Sequence, residues 1–249
     1  MVSKGVSAKL ARKVIAAYGN GCWLNFPGCT GRVETIDHVL PVAAHGPTIL
    51  TNLRPACKHC NSSRKARMIS GIGVTIHAVI GPPTAGKTTF VHENKNEADI
   101  VLDYDALTAA LLPSLTDEHN RPDYLVNTVT AMWASAYNRL VQLPQPTHIW
   151  LIKTLPLMPK SPKLLDEWIA LNYNIHVIDP GKPTVVERMS HAARNKGAYN
   201  VMRAWYKLGI TQDMIDQRTA QRCQQLEAYG IYVNAPILST QAVSSRPVW

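Results

Sequence analysis

Apolar positions recur along this 249-residue chain in two different rhythms. Over residues 6–18, Leu10, Val14 and Ile15 fall on one face at helical spacing, which predicts a helix ahead of the first cysteine. From Cys22 to His38 the pattern shortens into runs with β-hairpin character. After Ser70-Gly71-Ile72-Gly73 it changes again. Apolar runs at 74–80, 100–102, 148–152 and 175–178 read as strands, with helical patterns between them over 87–95, 123–141 and 162–171. Strands alternating with helices at this spacing predict an α/β fold: a parallel sheet with helices on both faces. The two glycines mark a flexible break, so a module of residues 1–70 is expected before a second one of 71–249. A further helix is expected across Glu187–Gly197, and a last helix and strand, near 231–233, beyond residue 210. The end region offers no chemistry that can be named.

Composition is that of a folded chain, with 46% hydrophobic and 17% charged residues. The net charge of +9 becomes informative once it is located. Residues 1–70 hold ten Lys and Arg against only Glu34 and Asp37, an excess of eight, whereas residues 71–249 carry an excess of one. Basicity concentrated in this way favours phosphate backbones, so nucleic acid, DNA or RNA, is the expected partner of the first module. No apolar run reaches 18 residues and the N-terminus lacks an apolar signal segment, which predicts a cytoplasmic protein with no membrane partner. Four of the five cysteines crowd between positions 22 and 60, a pattern that suits metal binding in a reducing compartment better than disulfides. Cys223 stands alone and reads as a small buried residue.

Cys22-x6-Cys29 and Cys57-x2-Cys60 bracket the segment Ile36-Asp37-His38-Val39-Leu40-Pro41. Two thiolate pairs can supply a closed tetrahedral Zn²⁺ site, substituting for a core that about 70 residues cannot fully provide. The string Asp37-His38-Val39-Leu40-Pro41, then Asn52-Leu53-Arg54-Pro55-Ala56-Cys57-Lys58-His59-Cys60-Asn61 and Lys65, resembles the zinc-containing HNH endonucleases of the ββα-metal type, over about residues 20–67. The resemblance implies a structural zinc and His38 as the general base. It also implies Asp37 and Asn61 as holders of a catalytic Mg²⁺ or Mn²⁺, and Asn52 as the residue fixing the loop that aims the histidine. Many members carry His where this chain has Asn61; an amide oxygen remains a hard ligand suited to Mg²⁺. His45 rivals His38 but lacks an adjacent carboxylate. A zinc ribbon that binds nucleic acid without cutting it is the alternative.

The second module opens on Gly81-Pro82-Pro83-Thr84-Ala85-Gly86-Lys87-Thr88-Thr89, which fits the phosphate-loop pattern G-x-x-x-x-G-K-[ST] between a strand-like and a helix-like segment. In that setting the backbone N–H groups cradle the phosphates of ATP or another NTP, Lys87 reaches the β and γ phosphates, and Thr88 places its hydroxyl on Mg²⁺. Asp103 and Asp105 end the next strand, where ligands of such sheets bind, although a turn or helix cap would use the same residues. Arg188 and Arg194 lie on the later helix, as a charge-stabilising lid or as a solvated basic face. Together these features resemble the polynucleotide kinase branch of the P-loop phosphotransferases encoded by some bacteriophages, over about residues 74–210. The resemblance implies Asp105 as the base toward a 5′-hydroxyl, Asp103 as its support, and Arg188 and Arg194 as the lid. Where the family often has an arginine for the acceptor's 3′ phosphate, this chain has Thr108.

The expectation is therefore a bifunctional end-processing or repair enzyme, in which one module cuts nucleic acid and the other phosphorylates 5′-hydroxyl ends. HNH cleavage leaves a 5′-phosphate, so the kinase would serve ends made elsewhere. A small-molecule acceptor, favoured by the near-neutral second module, and an NTPase brought to DNA by a non-cutting zinc module are the alternatives.

Overall fold

The computed structural model describes residues 5–114, 121–155 and 160–233. Helix α1 (Ala8–Tyr18) begins at Ser7, whose side chain accepts from the Leu10 N–H, and stops at Gly19. Its apolar stripe, with Ala11 and Val14 buried, packs on Val6, Ile36 and Leu53. Strand β1 (Thr35–His38) pairs antiparallel with β2 (Leu53–Ala56), placing His38 opposite Leu53, and helix α2 (Lys58–Arg64) follows directly. The hairpin expected within residues 22–38 does not form. Gly21 and Arg32 make only an isolated bridge, and β1 finds its partner beyond the 39–52 connection. Gly28 and Gly31, at φ +83° and +71°, turn the chain around its cysteines instead.

Strands β3 (Thr75–Ile80), β4 (Ile100–Asp103), β5 (His148–Lys153) and β6 (Asn174–Val177) form one parallel sheet in the order β4-β5-β3-β6. Alternate residues face opposite ways along a strand. Val79, Trp150 and Ile152 accordingly meet Phe90 and Val91 of helix α3 (Lys87–Asn94) on one face. Ile76, Ala78, Ile149 and Leu151 join a cluster with residues of α5 (Asp123–Leu140), α6 (Lys160–Ala170) and α9 (Gln212–Ala228) on the other. Helix α4 (Tyr104–Leu111) continues straight from β4.

The helix expected across 187–197 is two helices, α7 (Lys182–His191) and α8 (Lys196–Leu208). Ala193 at φ +46° breaks the run, Asn195 caps α8 by accepting from the Ala198 N–H, and Arg194 thereby falls in the connection. No strand forms at 231–233; Ile231 is buried in the core instead.

The flexible break expected at 70–73 is packed. Met68, Ile69 and Ser70 are buried. The Ser70 carbonyl accepts from Asn172, its hydroxyl accepts from the Ile76 N–H, and a Cβ on Gly73 would stand 2.7 Å from the Pro144 carbonyl. Gly73 serves close approach of two backbones rather than mobility. One apolar cluster runs from Trp23, Leu24 and Phe26 to Trp168, Tyr173 and Leu226, and so joins the cysteine-rich region to the sheet region. Arginines add cross-links: Arg54 donates to the Tyr229 and Gly230 carbonyls, Arg67 pairs with Glu167, and Arg222 donates to the Trp23 and Ala170 carbonyls. No helix of the described residues is long and apolar enough to cross a membrane.

Candidate functional site

The turn before β1, the end of β2 and the start of α2 bring Cys22, Cys29, Cys57 and Cys60 together, with their sulfur atoms all within 4.8 Å of one another. Four thiolates around one Zn²⁺ at about 2.3 Å stand about 3.8 Å apart, so the donor set fits a closed structural site; Cys29 and Cys57 are already 3.9 Å apart. Cys57 caps α2 by accepting from the Cys60 N–H. Burial raises the Cys57 thiol, but hydrogen bonds from Cys60 and Thr30 outweigh it and bring the value down to about 6. Burial pushes the Cys29 and Cys60 thiols up. His59 lies outside the cluster, with Nε2 2.8 Å from the Pro27 carbonyl.

His38 closes β1 with 8% of its surface exposed. Burial lowers its pKa, Asp37 raising it and Arg64 lowering it further, so the ring is neutral at neutral pH. Its Nε2 is 3.0 Å from the Thr48 hydroxyl. Asn52 ties the loop between them: Oδ1 accepts from the Leu40 N–H at 2.8 Å, while Nδ2 donates to the Leu40 and Pro47 carbonyls. Gly46 lets the loop close, since a Cβ there would stand 1.8 Å from the Leu40 carbonyl oxygen. His45 is exposed in this loop, at φ +61°.

Asp37 is buried, and its Oδ2 accepts from Arg64 at 2.7 Å and Trp23 at 3.2 Å. Asn61 donates from Nδ2 to the Thr35 hydroxyl at 2.9 Å, on the strand face that Asp37 shares by alternation. Arg64, with no exposed surface, also donates to the His38, Val39 and Arg67 carbonyls. One guanidinium thus holds both the carboxylate before the histidine and the backbone that follows it. Sequence reasoning missed Arg64, Trp23 and Thr48. The signal for Arg64 was its place one helical turn after Cys60, on the inward face of α2.

The second candidate site lies where β3 meets α3. Gly81 passes so close to β6 that a Cβ would stand 2.2 Å from the Ile178 carbonyl, and Gly86 caps α3 at φ +99°. Between them run Pro82, Pro83, Thr84 and Ala85, with Thr84 itself at φ +58°. Lys87 donates to the Gly81 and Pro82 carbonyls at 3.2 and 2.7 Å. Burial lowers it to about 8; Asp105 and Asp103 act to raise it and Arg194 to lower it, which places all three within its electrostatic reach. Thr88 and Thr89 are exposed on the first turn of α3. Arg188 Nη1 lies 3.4 and 3.5 Å from the Thr84 and Ala85 carbonyls.

Asp103 caps α4, accepting from the Asp105 N–H at 3.0 Å. Asp105 pairs with Arg121 at 2.5 Å, a partner that no motif announced, and the Arg121 guanidinium lies over the Tyr104 ring. Thr108 is buried and donates to the Tyr104 carbonyl, so it turns inward rather than toward a ligand. Cys223 is half-buried, its thiol 3.4 Å from Asn172 Oδ1.

Comparison with known proteins matches residues 21–67 to a family model described as HNH endonuclease. The chain thus carries an N-terminal HNH endonuclease domain whose four cysteines form a cluster consistent with zinc. Among solved structures, a similar chain belongs to the Pnkp1/Rnl/Hen1 RNA repair complex, at 13% identity and a TM-score of 0.38, covering 70% of this chain and 50% of that one. The present chain therefore spans half the length of that relative. No curated protein matches the sequence.

Proposed function

We propose that residues 1–70 are a metal-dependent nuclease that hydrolyses phosphodiesters with His38 as general base. The observation that carries this reading is a buried, neutral His38 held from three sides: by Thr48 at Nε2, by the Asn52-clamped loop, and by Arg64 at its carbonyl. With Nε2–H donated to Thr48, Nδ1 is the nitrogen free to take a proton from water. Water adds to phosphorus, the P–O3′ bond breaks, and 5′-phosphate and 3′-hydroxyl ends result. A Mg²⁺ or Mn²⁺ would be held by Asn61 Oδ1, whose amide nitrogen bonds Thr35, and by Asp37 Oδ1, the oxygen opposite the one that bonds Arg64 and Trp23, and would supply charge stabilisation to the scissile phosphate. Nicking of plasmid DNA with Mg²⁺ or Mn²⁺, lost in His38→Ala, is the expected result; absence of nicking with every divalent metal overturns the reading.

The second reading concerns residues 71–249, as an ATP-dependent 5′-hydroxyl polynucleotide kinase. It is supported by the enclosure of Lys87 at the sheet edge, with Asp103, Asp105 and Arg194 in its field and Arg188 on the loop. In this assignment Lys87 and the N–H groups of residues 81–89 bind the ATP phosphates and Thr88 serves the accompanying Mg²⁺. Asp105 takes the proton of the attacking hydroxyl, Asp103 holds the start of α4, and Arg188 and Arg194 stabilise the transferred charge. Transfer of labelled γ-phosphate to 5′-hydroxyl DNA or RNA, lost in Lys87→Ala and in Asp105→Asn, tests it. ATP binding without end-labelling transfers the assignment to a small-molecule acceptor.

A further inference from the structure

A cleft of 280 Å³ opens at the junction of the two regions, with Asn25 and Phe26 on one side and Asp166, Arg218, Arg222 and Gln225 on the other. Arg222 is the anomaly. It is 3% exposed, on the inward stripe of α9 between Thr219 and Leu226, and its Nε and Nη1 donate to the Ala170 and Trp23 carbonyls. Its Nη2 is buried without a hydrogen-bond partner among the described residues. A buried cation ordinarily has a carboxylate beside it. Among the described residues the one carboxylate that lines this cleft, Asp166, is engaged by Arg218, and Gln225 offers Arg222 only a neutral amide oxygen at 3.5 Å. The lining therefore carries one positive charge in excess, with the unused Nη2 donor of Arg222 just behind it; burial lowers this arginine's pKa to about 10, and Cys22 is the main group acting to raise it.

We propose that this cleft is a phosphate-binding site for the polynucleotide backbone, with Arg222 and Arg218 as its cationic donors, so that one strand is held by both regions at their seam. The assignment to polynucleotide rests on the nucleic-acid reading of the first module; the oxyanion chemistry of the cleft does not. The unpartnered Nη2 of Arg222 can donate a charge-assisted hydrogen bond to one phosphate oxygen, and the amides of Asn25 and Gln225 supply neutral donors at the rim. Adjacent Phe26 and Pro27 give the cleft an apolar wall beneath the donors.

The test introduces the missing carboxylate. Gln225→Glu is isosteric and exposed, and it places an anion beside Arg222; Arg218→Ala removes the second donor. Binding of a single-stranded 20-nucleotide oligomer by the full chain is measured against salt for wild type and both variants, with melting temperature as the control for folding. Both variants are expected to bind about tenfold more weakly. The slope of log K against log salt should fall by about 0.7, the loss of one phosphate contact on a single strand. Gln225→Glu should melt no lower than wild type. Wild type that binds while both variants match it overturns the cleft site and leaves the nuclease reading intact. Wild type that binds no oligomer overturns the cleft site, while the nuclease reading is decided separately by plasmid nicking. Stabilisation by inorganic phosphate that Gln225→Glu abolishes, with oligomer affinity unchanged, shows a free-anion site and overturns the polynucleotide assignment.

Discussion

Arg64 governs the candidate nuclease site without being one of its motif residues. It is fully buried, pairs with Asp37 and donates to the carbonyls of His38 and Val39. Replacing it by methionine leaves the Asp37 carboxylate buried with only Trp23 as donor. Loss of one partner of a buried pair costs about 3–5 kcal/mol, so Arg64→Met is expected to lower the chemical denaturation midpoint sharply; an unchanged midpoint would show that Asp37 finds water instead. His38→Ala removes the proposed base alone and leaves these contacts in place. Nicking should fall by about 10² to 10⁴, the usual worth of a positioned acid or base, with folding unchanged. Residue identity was legible here for the motif positions, because Asp-His, Asn and the cysteines are chemically distinctive. Arg64, Thr48 and Arg121 were not, since each matters through a neighbour distant in sequence.

At the scale of elements, the sheet face under α3 holds an unusual row. His77 on β3 bonds His176 on β6 through Nδ1 at 3.2 Å and His148 on β5 through Nε2 at 2.9 Å, and it stacks on Trp150. Burial brings His77 down to about 3 and His176 to about 4; His176 and His148 lower His77 further, while Asp99 acts to raise His77 and Asp216 to raise His176. Both rings are neutral in the folded chain at neutral pH. The unfolded chain, with ordinary values near 6.5, binds more protons as pH falls below that point. Stability is therefore full above about 6.5 and is lost progressively toward pH 4 and then 3. Urea unfolding followed from pH 7.5 to 4.5 should show this decline, and His77→Gln should flatten it; a slope unaltered by that change would place the titrating groups elsewhere. Phe90 of α3 packs against His176, so the same acid range should loosen the helix that begins at Lys87.

For the whole molecule, the cysteine cluster and the parallel sheet share one core. Trp23, next to Cys22, presents its carbonyl to Arg222, and Tyr229 and Gly230 at the end of α9 accept from Arg54 of β2. Zinc bound only to the folded state contributes its binding free energy to that state. Extraction with a strong chelator is thus expected to lower the melting temperature in a single transition and to raise amide exchange in β3 along with β1. Exchange that rises in β1 alone would show two independently folding modules.

The sequence by itself determined the four strands of the sheet and helices α3, α5 and α6. Apolar alternation and helical periodicity are local signals there, and Gly81, Gly86 and Lys87 fall at the junction of β3 and α3. It also determined the four-cysteine cluster, because thiol spacing survives folding as proximity. Tertiary structure alone decided that Ser70 is buried and that Gly73 lies against the Pro144 carbonyl instead of in a hinge, since glycine marks mobility and close backbone approach identically. It decided the partner of β1 and the division of 187–197 into two helices, which depend on contacts and caps that no window of sequence contains. It also placed Arg222 beside Trp23, 199 residues away, because burial of a charge is set by what the remainder of the chain packs around it.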